Sequence, residues 1–219
     1  MKIIAHRGAS REHRENTLPA FRRAVEIGAD SIETDVLKTR DGVLVLHHDE
    51  TLFKGGKRLP VAGLDYPELI KFDRAIPRLD ETLDELGEKI PFCLEIKAAG
   101  LAAEVIACVR RYQLEKTVHI TSFLVPEIGD VLRLNPSLEV SLTFSALPEH
   151  GITDLKRMGI RAASLSHSHF TRETAARLMR EGIRMRIYTV NLPDEAAKLK
   201  NWGVDAIFTD VPEQMLKFR

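Results

Sequence analysis

The stretch Ser31–Val36 reads SIETDV and puts two carboxylates, Glu33 and Asp35, two positions apart in an otherwise strand-like apolar run. On a strand those side chains share one face. Burying two like charges there without partners costs on the order of several kcal/mol each, so something positive must sit between or above them. Other ionisable groups stand at the ends of apolar runs: His6 and Arg7 after IIA, Glu95 near the end of FCLEI with Lys97 just beyond, and His47-His48 after VLVL. Hard divalent cations prefer carboxylate oxygens, with waters and substrate completing the shell. Glu33, Asp35 and Glu95 are therefore the expected ligands of one divalent metal ion, Mg²⁺, Ca²⁺ or Mn²⁺; zinc would ask for more His or Cys. The competing reading is a metal-free network in which the same carboxylates pair with Arg7 and Lys97.

A cation beside Arg7 and Lys97 makes an anion site, and the arginine fork suits phosphate geometry. Histidines add acid and base functions near neutral pH. His6 is one; of the adjacent His47 and His48, which face opposite ways on a strand, only one can reach the same place. Metal-assisted phosphodiester cleavage uses all of these groups. A glycosidase would use two carboxylates and leave the histidines and cations idle. Three neighbours are ambiguous. Glu15 either supports the site or is solvated. Asp210 either orients Arg7 or a histidine, or caps the last helix. Asn16 or Thr17 reads as a helix cap ahead of Pro19 in a first turn.

The elements that must position these residues follow a repeated pattern. GADSIE, GIRAAS, GIRMRI and GVDAIF each end an amphipathic run at a glycine (Gly28, Gly159, Gly182, Gly203) and enter a short apolar strand. Eight strands are expected, at 3–5, 31–36, 92–96, 118–121, 139–144, 162–165, 186–190 and 206–209, with helical periodicity between most of them. That count and alternation predict an α/β fold, a TIM (β/α)8 barrel, in which strand carboxyl ends face the active site. A doubly wound sheet is the weaker alternative, because no glycine-rich dinucleotide fingerprint follows the first strand. One extra strand, VLVLHHD at 43–49, joins SIETDV through the Asp41-Gly42 turn. Residues 43–90 are expected to form a short insertion after the second barrel strand, on the substrate side, within a single domain spanning 1–219.

Composition excludes some partners. With 32 basic and 32 acidic residues the net charge is zero, which gives no reason to expect nucleic acid or an anionic membrane. Cys93 and Cys108 read as reduced core residues. The apolar run before His6 is only three residues, 3–5, too short for a signal peptide, and no run is long enough to span a bilayer. A cytoplasmic protein without stable membrane association is expected.

HRGAS (6–10), ENTLPAF (15–21), GADSIETDV (28–36), HHDETL (47–52), LEIK (94–97), TSF (121–123), YTVN (188–191) and GVDAIFTDVP (203–212) together resemble the glycerophosphodiester phosphodiesterase family, in family order. The resemblance implies a TIM barrel that binds a divalent ion and hydrolyses glycerophosphodiesters to sn-glycerol 3-phosphate and an alcohol. It implies His6 and His48 as the acid/base pair, Glu33, Asp35 and Glu95 as metal ligands, and Arg7 and Lys97 as phosphate-binding residues. Two alternatives stand beside it: a lysophospholipase D-like enzyme acting on lysolipids, and a non-catalytic phosphate-binding module. This sequence departs from the family pattern at Arg14, where proline often precedes ENT. It also carries FKGGKRL (53–59) in place of an arginine–threonine run, which bears on the leaving-group preference.

Overall fold

The computed structural model describes the backbone of residues 1–219 and every side chain except that of Lys54. Eight parallel strands close into a barrel: β1 (Lys2–His6), β2 (Ser31–Lys38), β6 (Phe92–Ile96), β7 (Val118–Ser122), β8 (Glu139–Phe144), β9 (Ala162–Ser166), β10 (Arg184–Tyr188) and β11 (Ala206–Thr209). β1 pairs with β11 on one side and β2 on the other, which shuts the sheet. Outside lie α1 (Leu18–Ile27), α3 (Leu79–Leu86), α4 (Ala102–Arg111), α5 (Val125–Leu134), α6 (Gly151–Arg157), α7 (Arg172–Arg180), α8 (Pro193–Asn201) and α9 (Pro212–Met215). This is the TIM-barrel arrangement expected from the alternation of strands and helices.

The main core lies between the outward strand residues and the helices, with Ile3, Phe21, Ile32, Phe92, Leu94 and Ile120 among its fully buried members. Phe21 meets Phe92 edge-on at 6.1 Å, fastening α1 to β6. The helix ends follow the glycine signal: Gly28 sits at φ +77° and its N–H returns to Val25, ending α1 so that the chain can turn into β2. α4 is capped across the fold, where the buried Glu127 of α5 accepts the N–H groups of Gly100, Leu101 and Ala102.

Every second strand residue points into the lumen, and the paired positions are largely polar. Registers such as Asp35↔Glu95, Glu95↔Thr121, Thr121↔Ser141 and Thr143↔Ser164 join them around the wall. Bulky branched side chains usually fill such a barrel; here most of them lie on the outer face, and the lumen keeps one small apolar cluster of Ile4, Cys93, Ala206 and Phe208.

β3 (Leu44–Leu46) runs antiparallel to β2 through the Asp41-Gly42 turn. It is shorter than 43–49, so His48 lies in the turn beyond it and does not end the strand. The hairpin β4 (Thr51–Lys54) and β5 (Lys57–Pro60) and the helix α2 (Tyr66–Phe72) follow. This segment has its own small core of Leu37, Val45, Leu52, Val61, Leu69 and Ile76, whereas Leu79, Leu83 and Leu86 of α3 pack in the main one. Among the described residues no helix is long and apolar enough to cross a membrane. Cys93 and Cys108 are free thiols; Cys93 is buried and Cys108 half-buried.

Candidate active site

The carboxyl ends of the strands surround a pocket of about 120 Å³ whose lining includes His6, Arg7, Glu33, Asp35, His48, Glu95 and Lys97. All seven residues singled out in the sequence thus meet at one mouth. His47 does not line it: its Nδ1 lies 2.8 Å from the Asp49 carbonyl.

Glu33, Asp35 and Glu95 each offer an oxygen, and these oxygens lie within 4.8 Å of one another. Burial, and then the charges of Asp35 and Glu95, push the Glu33 carboxyl well above the ordinary range despite the opposing charge of Arg7. Glu95 is also raised, first by burial and then by Asp35, with Lys97 opposing. A third charge pulls the other way: Lys97 Nζ is 3.0 Å from Glu95 Oε1 and 3.5 Å from Asp35 Oδ1. Burial works against this ammonium, but Glu95 and Asp35 outweigh it and hold its pKa above the usual lysine value.

The turn after β1 is shaped to serve this cluster. Arg7 adopts φ +57° and Gly8 φ +84°, left-handed conformations in succession. The turn aims the Arg7 N–H at Glu33 Oε2, 3.0 Å away. The Arg7 guanidinium donates to Glu15 Oε1 at 3.0 Å, while its Nε lies 3.2 Å from Asp35 Oδ2 without a hydrogen bond. Glu15 therefore holds Arg7. Asn16, at φ +53°, does not cap α1. Its Nδ2 donates to Asp35 Oδ2 at 2.8 Å and its Oδ1 accepts from Thr34 at 2.7 Å, leaving Asp35 Oδ1 toward the cluster. Thr17 occupies the cap position with no side-chain cap bond; its hydroxyl donates to the Arg14 carbonyl.

Each pocket histidine meets a carboxylate at Nδ1. His6 Nδ1 is 2.7 Å from Asp210 Oδ1, and its Nε2 points to the cluster, 3.9 Å from Glu33 Oε2. Asp210 also accepts from Asn191 and Ser10. Burial works against the ionised form of Asp210, yet the hydrogen bond and charge of His6 and the bonds from Asn191 and Ser10 bring it down to about 2. Of the roles open to Asp210 in the sequence, it orients a histidine. His48 Nδ1 lies 2.7 Å from Asp49 Oδ1, a partner sequence reasoning missed although it is the adjacent residue. The opposite wall is aromatic, with Phe123 edge-on to Tyr188 at 6.3 Å and Tyr188 edge-on to Phe208 at 6.4 Å.

Fold and site together define a class: a TIM-barrel protein with clustered carboxylates, paired cations and carboxylate-oriented histidines at its carboxyl mouth. The chain belongs to the glycerophosphoryl diester phosphodiesterase family, whose model matches residues 6–214, and it is a phosphoric diester hydrolase. It is 32% identical to a glycerophosphodiester phosphodiesterase of Caldanaerobacter subterraneus over 98% of this chain and 96% of that protein. The solved structure of an Oleispira antarctica phosphodiesterase in complex with the product sn-glycerol-3-phosphate is similar at a TM-score of 0.88 and 25% identity. That match covers 100% of this chain and 96% of the other. A human lysophospholipase D is 35% identical over 55% of this chain and 43% of its own length.

Proposed function

We propose that the protein hydrolyses glycerophosphodiesters to sn-glycerol 3-phosphate and an alcohol, using one divalent cation and an acid/base pair of His6 and His48. The observation that carries this reading is the convergence of the buried Glu33 and Asp35, the half-buried Glu95, Arg7, Lys97 and two carboxylate-oriented histidines at one mouth. The product held by the Oleispira relative supports the substrate class.

The donor set fits a hard cation such as Mg²⁺, Ca²⁺ or Mn²⁺. Its oxygens are close together, and burial with mutual repulsion makes them hard to keep ionised without more positive charge. When bound by Glu33, Asp35 and Glu95, that cation would supply Lewis-acid charge to a phosphoryl oxygen. Arg7 and Lys97 bind the remaining phosphate oxygens and neutralise the charge that grows there in the transition state. Asp210 accepts the Nδ1 proton of His6 and Asp49 that of His48, which leaves both Nε2 atoms for chemistry. One histidine takes a proton from the attacking oxygen and the other gives a proton to the leaving alkoxide, so the step balances. We take residues 1–219 as one catalytic domain acting in the cytoplasm on soluble substrate, without stable membrane association; the two free thiols suit a reducing compartment.

A lysolipid substrate is the second reading, favoured by Phe123, 44% exposed in the lining of the pocket, and by Phe53, 70% exposed on the β4–β5 hairpin. The deciding experiment compares kcat/KM for glycerophosphocholine and a long-chain lysophosphatidylcholine, assaying glycerol 3-phosphate and lysophosphatidate separately. We expect the soluble diester to win. A lysolipid preference of tenfold, about 1.4 kcal/mol in transition-state binding, transfers the assignment to the second reading.

A further inference from the structure

The amino-terminal end of the barrel holds a second cavity, of about 180 Å³, remote from the strand ends that carry the chemistry. Its ionisable lining is Lys2, Asp30, Lys116, His119, Glu139 and Arg186, with the Cys93 thiol beside them. His119 is buried, and its Nε2 lies 2.9 Å from Ser141 Oγ. That hydroxyl has one proton and three acceptors within reach: Nε2 itself, Thr121 Oγ1 at 3.0 Å and Ser164 Oγ at 3.1 Å. With that proton placed on the Thr121 bond, Nε2 is the donor to Ser141. Burial, reinforced by the charges of Arg186, Arg184 and Lys2, holds the ring well below the ordinary histidine pKa and hence neutral. The one ring proton is then spent, and Nδ1 carries a bare lone pair.

That Nδ1 is buried and has no hydrogen-bond partner. Its ionic neighbour, Glu139 Oε1, is 3.8 Å away and is another acceptor, already bound by Arg184 and Arg186. A buried acceptor left unmet is costly, so a proton donor belongs in this space. The charges say what else that donor carries. Asp30 is committed to the Ile3 N–H and to Arg219, and two arginines neutralise Glu139. Lys2 and Lys116 make no ion pair among the described residues. The unbalanced charge at this cavity is positive.

We propose that the cavity binds a small hydroxylated oxyanion, its hydroxyl donating to His119 Nδ1 and its negative charge lying toward Lys2 and Lys116. Inorganic phosphate and a short phosphate monoester share this chemistry and suit a cavity of this size; a nucleotide is too large. The ligand would sit at the lower end of a hydroxyl chain. Above Ser141, Thr121 and Thr143 are joined at 2.7 Å, Ser141 meets Ser164 at 3.1 Å, and Thr121, Thr143 and Ser164 line the floor of the active-site pocket.

The test is nuclear magnetic resonance of the full chain labelled with ¹⁵N-histidine, titrated in separate arms with inorganic phosphate and with sn-glycerol 3-phosphate. The His119 Nδ1 signal should move saturably from the position of a free lone pair toward that of a hydrogen-bonded one. In a Lys2→Ala/Lys116→Ala double variant, altered only at exposed residues, the same shift should need roughly tenfold more ligand or better. Responses of His6 and His48 report the mouth separately and should be unchanged by that substitution. Saturation by phosphate alone assigns the site to the free ion, and saturation by the monoester assigns it to product-like ligands. A His119 signal that neither ligand moves, or that moves equally in the double variant, overturns the proposal.

Discussion

Replacing Asp210 by Asn tests how the acid/base machinery is oriented, because the substitution preserves shape and removes one charge. In the native chain Asp210 accepts from His6, Asn191 and Ser10. An amide has one oxygen to offer. If that oxygen keeps the bond from Asn191 Nδ2, the amide N–H₂ faces His6 Nδ1, and the ring must carry its proton on Nε2. Nε2 can then no longer take up a proton, which the proposed acid/base role of His6 requires in one half of the cycle. Turned the other way, the amide sets its N–H₂ against the Asn191 N–H₂. We expect kcat to fall by at least ~10², the lower end of the scale for acid–base catalysis. Stability reports the same contact independently. A carboxyl lowered from an ordinary 3.8 to about 2 and 28% exposed contributes about 2 kcal/mol after allowance for screening. Because the folded value lies below the unfolded one, that contribution is complete above pH 3.8 and disappears as pH falls toward 2. The Asn variant should therefore melt roughly 4–8 °C lower at pH 7, with the gap closing in acid below the unfolded value. The assays are steady-state turnover and calorimetry across pH. Near-native kcat together with the full loss in Tm would refute the orienting role and leave Asp210 a structural residue.

Three further outcomes follow from the same geometry. Glu33→Gln should abolish cation binding in calorimetry while raising the Tm of metal-free protein, because it removes a buried charge facing Asp35 and Glu95; an unchanged cation affinity contradicts the ligand assignment. His6→Ala and His48→Ala should each lower kcat by at least ~10² with cation binding kept, and a normal His48→Ala enzyme would exclude that histidine from the chemistry. Gly8→Ala should destabilise and also cut activity, since its Cβ would stand 2.7 Å from the Ala20 backbone at φ +84° and displace the Arg7 turn; equal kcat in the two enzymes argues against that coupling.

The barrel and the charged residues of its mouth were readable because their signals are local. Strands alternate, glycines end helices, and SIETDV declares its own shared face. What escaped was pairing across distance. Asn16 looks like a helix cap in its own neighbourhood, and only the fold brings it to Thr34 and Asp35. Asp210 lies 204 positions from His6, so its choice between orienting and capping depended on barrel closure. The end of β3 at Leu46 was masked by the apolar run that precedes two histidines. The hydroxyls of the lumen gave no warning, since Thr121, Ser141 and Ser164 each sit in strands that read as apolar; nothing in such a strand says which neighbour its alternate residues will meet.

The small core beneath the β3–α2 segment divides the molecule into two units of unequal strength. His6 stands on the barrel, with the main core behind it, while His48 stands on a segment whose five buried side chains pack on Leu37 of β2 and which the Arg14–Asp73 ion pair ties to the α1 approach. Such a unit can open while the barrel stays intact, and its amides should exchange with solvent at a lower free energy than those of β1 or β6. Warming would then silence the enzyme before it melts. With His48 in the proposed acid/base pair, the temperature ceiling for turnover should be set by the smaller core, and selection for heat tolerance should fall first on Leu52, Val61, Leu69 and Ile76.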